Sequence, residues 1–255
     1  LWAFRCTLRR ELIEFVRTRL VNVDRDRYST TMLDNILSPD VMTIGFARRF
    51  ATYKRAPLVF RNLDKLAEIV NHPELKVQII FAGKAHPRDD DGKQFIQKIM
   101  QFTHDPRFFG KILFLENYDI NVARFLVSGS DVWLNTPRRP LEASGTSGMK
   151  IAVHGGLHFS TLDGWWVEAY DGSNGWQIGD SKIYNSDDEQ DAADSASLLN
   201  ILEHQIIPEF YNRDENGIPR EWIKRIRGSL KHLISEYSSD RMVAEYVAKC
   251  YIINR

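Results

Sequence analysis

The chain has 255 residues, and 43% of them are hydrophobic, which is enough for the core of one large or two small globular domains. Its 34 basic and 34 acidic residues cancel to a formal charge of zero, which excludes a general attraction to nucleic acids or anionic membranes. The apolar runs are too short to span a bilayer, and the opening residues carry scattered charge, unlike a signal peptide. With only two cysteines, Cys6 and Cys250, we expect a reduced, cytoplasmic protein.

The first twenty residues predict an amphipathic helix. Apolar side chains recur there at nearly helical spacing, at Leu8, Leu12, Phe15, Val16 and Leu20. Neither an initiator methionine nor a helix-start signal precedes this segment. We therefore interpret the chain as the C-terminal portion of a longer protein.

Short apolar runs alternate with helical patterns through the middle of the chain. The predicted strands are Val41–Phe46, Val77–Ala82, Ile112–Leu115, Val132–Leu134 and Leu157–Ser160. The helical patterns between them are Pro57–Asn71, Lys93–Phe102, Ile120–Ser128 and Gly148–His154. This alternation predicts an α/β fold, a Rossmann-like parallel sheet with helices on both faces. Ligands of such sheets collect at the carboxyl ends of the strands.

The last third of the chain is mostly helical in pattern. The acidic segment Ser186–Ser195 is expected to be a solvated loop that caps the next helix. Three helices are then predicted at Ala196–Tyr211, Trp222–Tyr237 and Arg241–Tyr251. We expect residues 1–185 to form the sheet domain and residues 186–255 to form a helical C-terminal segment packed on it.

Residues 142–150, EASGTSGMK, form the stretch with the clearest chemistry. Two glycines let the backbone approach a bound group, and three hydroxyl residues can cap a helix or donate hydrogen bonds. A helix that starts here offers free N–H groups to an anion. Lys150, a few residues into that helix, could form a Schiff base with a nearby aldehyde. Phosphate at one end and an imine at the other is the pattern of a pyridoxal-phosphate site.

A second candidate is the basic run that follows the first strand. Arg48, Arg49, Lys54 and Arg55 could hold two phosphates close together, because arginine suits bidentate contacts and lysine supplies a point charge. Asp163 and Gly164 are predicted to form a turn near the same site. Adjacent side chains of a strand face opposite ways, so at most one of Trp165 and Trp166 is expected to line a site.

The motif EASGTSGMK resembles the cofactor-lysine motif of the α-glucan (glycogen/maltodextrin) phosphorylases. Four further motifs occur in that family's order: RRFATYKR at 48–55, FAGKAHP at 81–87, FLENY at 114–118 and TLDGWWVE at 161–168. The resemblance covers about residues 41–180, extends more weakly to 251, and is nearer to the shorter bacterial and archaeal branch. It implies that the chain is the C-terminal, cofactor-binding domain of a glycosyltransferase with the GT-B fold.

The resemblance also implies roles for individual residues. Covalent pyridoxal 5'-phosphate on Lys150 would be bound by Gly145, Thr146, Ser147, Arg48 and Tyr118. The residues implied in catalysis are Arg49 and Lys54, at the substrate phosphate, together with Lys150. Those implied at the sugar are Glu142, Ser144, Gly145 and Tyr53. Asp119 departs from the pattern, because the animal enzymes have a basic residue there.

The implied activity is phosphorolysis of an α-1,4-glucan by inorganic phosphate, with the missing N-terminal domain of the same protein completing the cleft. Homo-oligomers are expected from relatives. A nucleotide-sugar glucosyltransferase of the glycogen-synthase type shares the architecture and the basic pair, but it needs no lysine-bound cofactor. A non-catalytic glucan-binding module is a further alternative. A transaminase-type enzyme would need an acid opposite the pyridine nitrogen, and no pattern for one is evident. The histidines show no metal-ligand spacing, so no metal is predicted.

Overall fold

A six-stranded, all-parallel sheet forms the centre of the molecule. The computed structural model describes residues 1–23, 32, 37–180 and 182–252. Its strands are β1 (Met42–Ala47), β2 (Val77–Ala82), β3 (Ile112–Leu115), β4 (Val132–Asn135), β5 (Leu157–Thr161) and β6 (Gly175–Ile178). They lie in the order β3-β2-β1-β4-β5-β6, which is the doubly wound order of Rossmann-like folds. The predicted α/β class is confirmed.

Helices cover both faces of the sheet. The α-helices are α1 (Trp2–Val23), α2 (Leu63–Val70), α3 (Asp90–His104), α4 (Ile120–Gly129), α5 (Ser147–Val153), α6 (Trp166–Ala169), α7 (Asp187–Ile201), α8 (Ile207–Tyr211), α9 (Arg220–Glu236) and α10 (Ser239–Tyr246). Short 3₁₀ turns lie at Thr52–Lys54 and Ala56–Phe60, and π-helical turns at Leu202–Ile206 and Val247–Tyr251. None of these described helices is both long and apolar enough to cross a membrane.

The apolar runs become central strands because both of their faces are buried. In β2, Ile79 and Phe81 face one core cluster, whereas Ile80 and Ala82 face the cluster on the opposite side of the sheet. This is the two-residue alternation of a strand. β1 and β2 pair in register from Met42 opposite Val77 to Ala47 opposite Ala82. A strand apolar on both faces is typical of a covered parallel sheet.

Helix α1 is tied to the sheet by a buried ion pair. The Arg9 guanidinium lies 2.8 Å from one Asp131 carboxylate oxygen, and the other oxygen accepts the Thr43 backbone N–H at 2.9 Å. Arg5, also fully buried, donates to the backbone carbonyl oxygen of Ser130 at 2.6 Å. Asp131 and Thr43 lie at the amino ends of β4 and β1. This network therefore anchors the sheet at the edge opposite the carboxyl ends of the strands.

The structure corrects several sequence-based expectations. Strand β6 was not predicted, because only Trp176 and Ile178 give it an apolar pattern. The acidic segment 186–195 is wrongly predicted as a loop: Ser186 accepts the Glu189 N–H at 3.2 Å and caps α7, whose first turn holds three acidic residues. Carboxylates near a helix N-terminus are favourable, so the acidity of this segment is compatible with a helix start. The division of the chain at residue 185 stays a prediction.

The tryptophan pair and the segment after β1 also differ from prediction. Trp165 and Trp166 do not lie on a strand; they open the short helix α6, and both are buried. The predicted helix Pro57–Asn71 is split into a 3₁₀ turn and α2. Asn62 separates the two pieces and caps α2 by accepting the Lys65 N–H at 3.0 Å. Cys6 and Cys250 are free thiols.

Candidate active site

The candidate site lies where the strand order reverses. β1 and β4 are neighbours in the sheet, but the chain leaves them towards opposite sides, and their carboxyl ends leave a crevice between the two connections. Arg48 directly follows β1, and Asn135 is the last residue of β4. The Arg48 Nη1 donates to the Asn135 side-chain oxygen at 2.9 Å. The two strand ends are thus bridged by polar side chains instead of core packing.

Glu142 is the centre of the site. Its carboxylate accepts hydrogen bonds from Arg48 Nη2 and from Lys54 Nζ, the latter at 2.8 Å and 3.2 Å to its two oxygens. All three side chains are largely buried, with 9–12% of each exposed. The Lys54 ammonium also lies 4.6 Å from the centre of the Tyr53 ring, within cation–π range. Four residues predicted at the site are therefore brought together by direct contacts.

Burial and charge act in opposite directions on this cluster. Burial alone would raise the pKa of Glu142, but the hydrogen bond from Lys54 and the charge of Arg48 hold that pKa below its usual value. Burial lowers the pKa of Arg48, against the opposing effect of Glu142. At neutral pH the cluster is a carboxylate between two cations. Groups with this arrangement can bind phosphate oxygens through the cations and sugar hydroxyls through the carboxylate.

The glycine-rich loop leads from Glu142 into helix α5. Gly145 has φ of 79°, a left-handed conformation that favours glycine. Ser147, the first residue of the helix, accepts a hydrogen bond from Trp133 Nε1 at 3.0 Å, and its hydroxyl lies 3.4 Å from the Asn135 amide nitrogen. Asn135 therefore connects Arg48 to the start of α5. Lys150 lies one turn further on, and its side chain is exposed.

His158 was not predicted at the site, yet it lines the same crevice. It lies on β5, is buried, and faces a small cavity shared with Arg48, Glu142 and Trp165. Burial, followed by the charge of Arg48, lowers the pKa of His158 to about 3, so the ring is neutral. Its Nδ1 has no hydrogen-bond partner among the described residues. A histidine between the apolar residues Leu157 and Phe159 of the strand was the signal in the sequence.

Asn135 was also missed. It immediately follows the predicted strand Val132–Leu134, and a polar residue at the carboxyl end of a central strand was the available signal. The structure makes it part of β4 and places it between Arg48 and Ser147.

The other predicted site residues make few or no side-chain contacts with the Arg48–Lys54–Glu142 cluster. Arg49 and Lys150 are exposed, and neither side chain has a hydrogen bond or ion pair within the part of the chain that the structure describes. Thr146 is exposed at the N-cap position of α5 and makes no side-chain capping bond. Tyr118 is half-buried after β3, where burial raises its pKa. Asp119, the departure from the family pattern, caps α4 by accepting the Val122 N–H at 2.8 Å.

Arg55 is separated from the rest of the basic run. It is 3% exposed and has φ of 46°, and its guanidinium pairs with Asp191 and Asp194 on α7 at 2.8 Å and 2.7 Å. It also donates to the backbone carbonyl oxygens of Thr136 and Pro137, both at 2.9 Å. The suggestion that it belongs to a phosphate-holding cluster is wrong, because these partners already engage its charge.

The chemistry of these residues fits pyridoxal phosphate. Lys150 offers an exposed primary amine on a helix that starts beside the Arg48–Asn135 pair. Arg48 Nε is buried and has no hydrogen-bond partner among the described residues, so this cation retains a donor for an anionic group. Arg48, Ser147 and Lys150 would be the residues that hold the cofactor.

Comparison with known proteins agrees with this geometry. A family model described as carbohydrate phosphorylase matches residues 20–191. The chain belongs to the carbohydrate phosphorylase family. It is 45% identical over 259 residues to the glycogen phosphorylase of Aquifex aeolicus, a match that covers 98% of this chain and 36% of that protein. It is 46% identical to the maltodextrin phosphorylase of Thermococcus litoralis, and 43% identical to a glycogen phosphorylase of Mycobacterium tuberculosis, each over 98% of this chain.

This member of the carbohydrate phosphorylase family spans about a third of the length of the curated relatives it matches, since the three alignments cover 30–36% of them. The matched segment includes Arg48, Lys54, Glu142 and Lys150. The resemblance stated from the five motifs is confirmed at the level of the family.

Proposed function

We propose that the complete polypeptide containing this chain is an α-1,4-glucan phosphorylase, which uses inorganic phosphate to release glucose 1-phosphate from glycogen or maltodextrin. The observation that carries this proposal is the convergence of Arg48 and Lys54 on Glu142, beside the loop that leads to Lys150. The names of the relatives, glycogen phosphorylase and maltodextrin phosphorylase, support the same substrate class. A cytoplasmic location and a homo-oligomeric state stay predictions.

The proposed division of labour follows the charges. Lys54 and Arg49 hold inorganic phosphate, and Glu142, with Ser144, Gly145 and Tyr53 near it, accepts or orients the hydroxyls of the terminal glucosyl unit. Because Lys54 lies 2.8 Å from Glu142, phosphate and sugar would be bound side by side. Such preorganised charges stabilise a transition state without reorganising solvent.

In the proposed reaction, the glycosidic bond between C1 and the departing oxygen breaks, and that oxygen takes a proton from inorganic phosphate. A phosphate oxygen then forms the new bond to C1 from the same face, so the configuration is retained. When bound, pyridoxal phosphate supplies a phosphate monoester whose second pKa of about 6 lets it exchange a proton at neutral pH. Lys150 and Arg48 would hold that group, with Gly145, Thr146, Ser147 and Tyr118 as the other proposed cofactor contacts. The remaining polypeptide is proposed to complete the cleft.

Lys150 gives the direct test of the cofactor assignment. The complete polypeptide, isolated with its native ligands, is reduced with borohydride, digested and mapped by mass spectrometry. A pyridoxyl adduct is expected on Lys150, because its amine is the only chemically suitable group in the motif. Lys150→Ala is expected to lose the adduct, the visible absorbance and phosphorolysis, whereas Lys98→Ala, a change to another exposed lysine, keeps all three.

Two results would contradict the proposal. Retention of the absorbance in Lys150→Ala would place the cofactor on another residue. The lack of any adduct in well-folded wild-type protein would remove this mechanism, and a nucleotide-sugar glucosyltransferase would become the better hypothesis.

A further inference from the structure

A tight turn after β5 holds the loop that carries Glu142. Asp163 is 7% exposed, and one of its carboxylate oxygens accepts the backbone N–H of Glu142 at 2.8 Å. The other oxygen accepts the N–H of Gly164 at 3.0 Å. The next residue, Trp165, donates its own backbone N–H to the Ser144 carbonyl oxygen at 2.9 Å. The two segments thus exchange hydrogen bonds in both directions, on either side of Ala143.

Gly164 lets the two backbones come this close. Its φ of 56° is left-handed, and a Cβ at this position would lie 2.2 Å from the Ser144 carbonyl oxygen. Any other residue would both strain the turn and push the Glu142 loop away. The turn is therefore shaped around the loop, and the contact is not a chance approach of two flexible segments.

The turn is itself firmly anchored. It follows β5 after a single residue, and Thr161 at the end of β5 donates its hydroxyl to the Pro137 carbonyl oxygen at 2.8 Å. Trp165 is buried, with its ring centre 5.1 Å from that of Tyr237 in an edge-on contact and 5.5 Å from that of His158. Because the turn is fixed to the sheet, it can hold the loop that it binds in a fixed position relative to the sheet.

We infer that Asp163 is a positioning residue, which fixes the backbone of Glu142 and so aims the Glu142 carboxylate at Lys54 and Arg48. The inference rests on the proposed function, because it assigns Glu142 the binding of the glucosyl unit. Asp163 itself acts through Glu142 and does not need to touch the substrate. The Asp163 carboxylate accepts the two N–H groups at different oxygens. An asparagine in the same position would keep only one of these acceptors and would present its own N–H₂ to the other N–H group.

The test is a double-mutant cycle in the complete polypeptide. Asp163→Asn, Glu142→Gln and the double variant are assayed for kcat and KM with glucose 1-phosphate and a maltodextrin. Asp163→Asn is expected to lower kcat/KM about tenfold or more, since hydrogen bonds to charged groups are the stronger ones. In the Glu142→Gln background the same change is expected to cost less than about twofold, because the residue it positions no longer has its carboxylate.

Asp214→Asn is the matched control. The Asp214 carboxylate also accepts two backbone N–H groups, those of Asn216 and Ile218 at 2.9 Å and 3.0 Å, but it does so at one oxygen and within a turn before α9. Its other oxygen pairs with Arg220. Asp214→Asn is expected to leave kcat/KM unchanged in both backgrounds. Equal losses from Asp163→Asn in both backgrounds would overturn the inference, because they would indicate a general structural role.

Hydrogen exchange gives a second measurement, which in the wild-type protein does not depend on the variants folding. The Glu142 amide of the wild-type protein is expected to be protected although it lies in a loop, and free exchange of that amide would overturn the inference. This measurement also separates the positioning role of Asp163 from the proposed role of Glu142 in binding the glucan. If Glu142→Gln does not alter glucan kinetics, the proposed role of Glu142 fails. A protected Glu142 amide that loses protection in Asp163→Asn would still show that the turn positions the loop.

Discussion

Lys54 and Arg55 are adjacent in the sequence, yet they belong to two different parts of the molecule. Lys54 points to the crevice between β1 and β4, where its partner is Glu142 on the glycine-rich loop. Arg55 points away, to two carboxylates of α7 and two backbone carbonyl oxygens. Both residues are buried, at 7% and 3% exposure of the whole residue, so burial does not distinguish them.

The partners distinguish the two residues. Arg55 lies on the turn after β1 and contacts four acceptors. Two of them lie in the segment after β4 and two on helix α7, so the charge of Arg55 holds three segments together. Lys54 has one carboxylate partner, which it shares with Arg48, and that partner lies on a loop instead of in a packed helix. A cation whose partner is shared and lies on a loop can exchange that partner for a ligand at a smaller cost. We interpret Arg55 as structural and Lys54 as available for substrate.

The largest expected effect is that of Arg55→Met on stability. Removing this guanidinium leaves the buried Asp194 without its cation, whereas Asp191 keeps its pair with Arg138 at 2.9 Å. Breaking a buried pair in this way costs about 3–5 kcal/mol. Burial already raises the pKa of Asp194, with Arg55 opposing that effect, so its pKa should rise further in the variant. Urea denaturation at pH 7 measures the loss in free energy of unfolding.

The control for this change is Arg61→Met. Arg61 also pairs with a carboxylate of α7, that of Asp188, but both side chains are solvent-exposed, at 37% and 83%. An exposed pair contributes little to stability. Similar losses in the two variants would contradict the structural role assigned to Arg55.

Lys54→Met should give the opposite pattern, a smaller loss of stability and a larger loss of activity. Glu142 keeps its bond to Arg48, so the free energy of unfolding is expected to fall by only about 1–2 kcal/mol. The KM for inorganic phosphate should rise much more than the affinity for glucan falls, because the ammonium is proposed to bind the phosphate. Steady-state kinetics in both substrates, beside the same urea curves, test this. A loss of stability as large as that of Arg55→Met would remove the distinction between the two residues.

The sequence predicted the framework well because the framework depends on local patterns. Five of the six strands appear as apolar runs, and strands buried on both faces produce such runs directly. Strand β6 is missed since its four residues contain only two apolar side chains in alternation. Helix α7 is missed in its first half because acidic residues are typical of loops as well as of helix starts. The pattern alone does not decide between the two.

The site was predicted in its residue types but not in its contacts. The motifs indicated Arg48, Lys54 and Glu142, which the structure brings into one cluster. Asp163 was predicted only as part of a turn, because its partner, the backbone N–H of Glu142, is 21 residues away and has no signature in the sequence. Arg55 was grouped with its neighbours because the carboxylates that engage it lie 136 and more residues further on.

His158 adds a third case to the comparison of Lys54 with Arg55. Within the described part of the chain, it is a buried ionisable group that makes no ion pair in the cluster of either residue. Its folded-state pKa of about 3 lies below the unfolded value of 6.5, so its contribution to stability is complete above pH 6.5 and is lost as the pH falls towards 3. Linkage gives a loss of about 0.7 kcal/mol between pH 7 and pH 6, rising to about 1.4 kcal/mol per pH unit below that.

His158→Gln removes the titration while keeping a polar side chain. The free energy of unfolding of the variant should therefore fall less steeply with acid than that of the wild type, when urea denaturation is measured at pH 7, 6 and 5. His154→Gln is the control: its pKa is also lowered by burial, but it is only half-buried, so its effect on the slope should be smaller. Parallel curves for His158→Gln and the wild type would show that His158 takes up a proton in the folded protein over the same pH range as in the unfolded chain, although it lies beside Arg48. More water would then enter the crevice than its packing indicates. That water would screen the charges around Glu142 and weaken the electrostatic role proposed for Lys54.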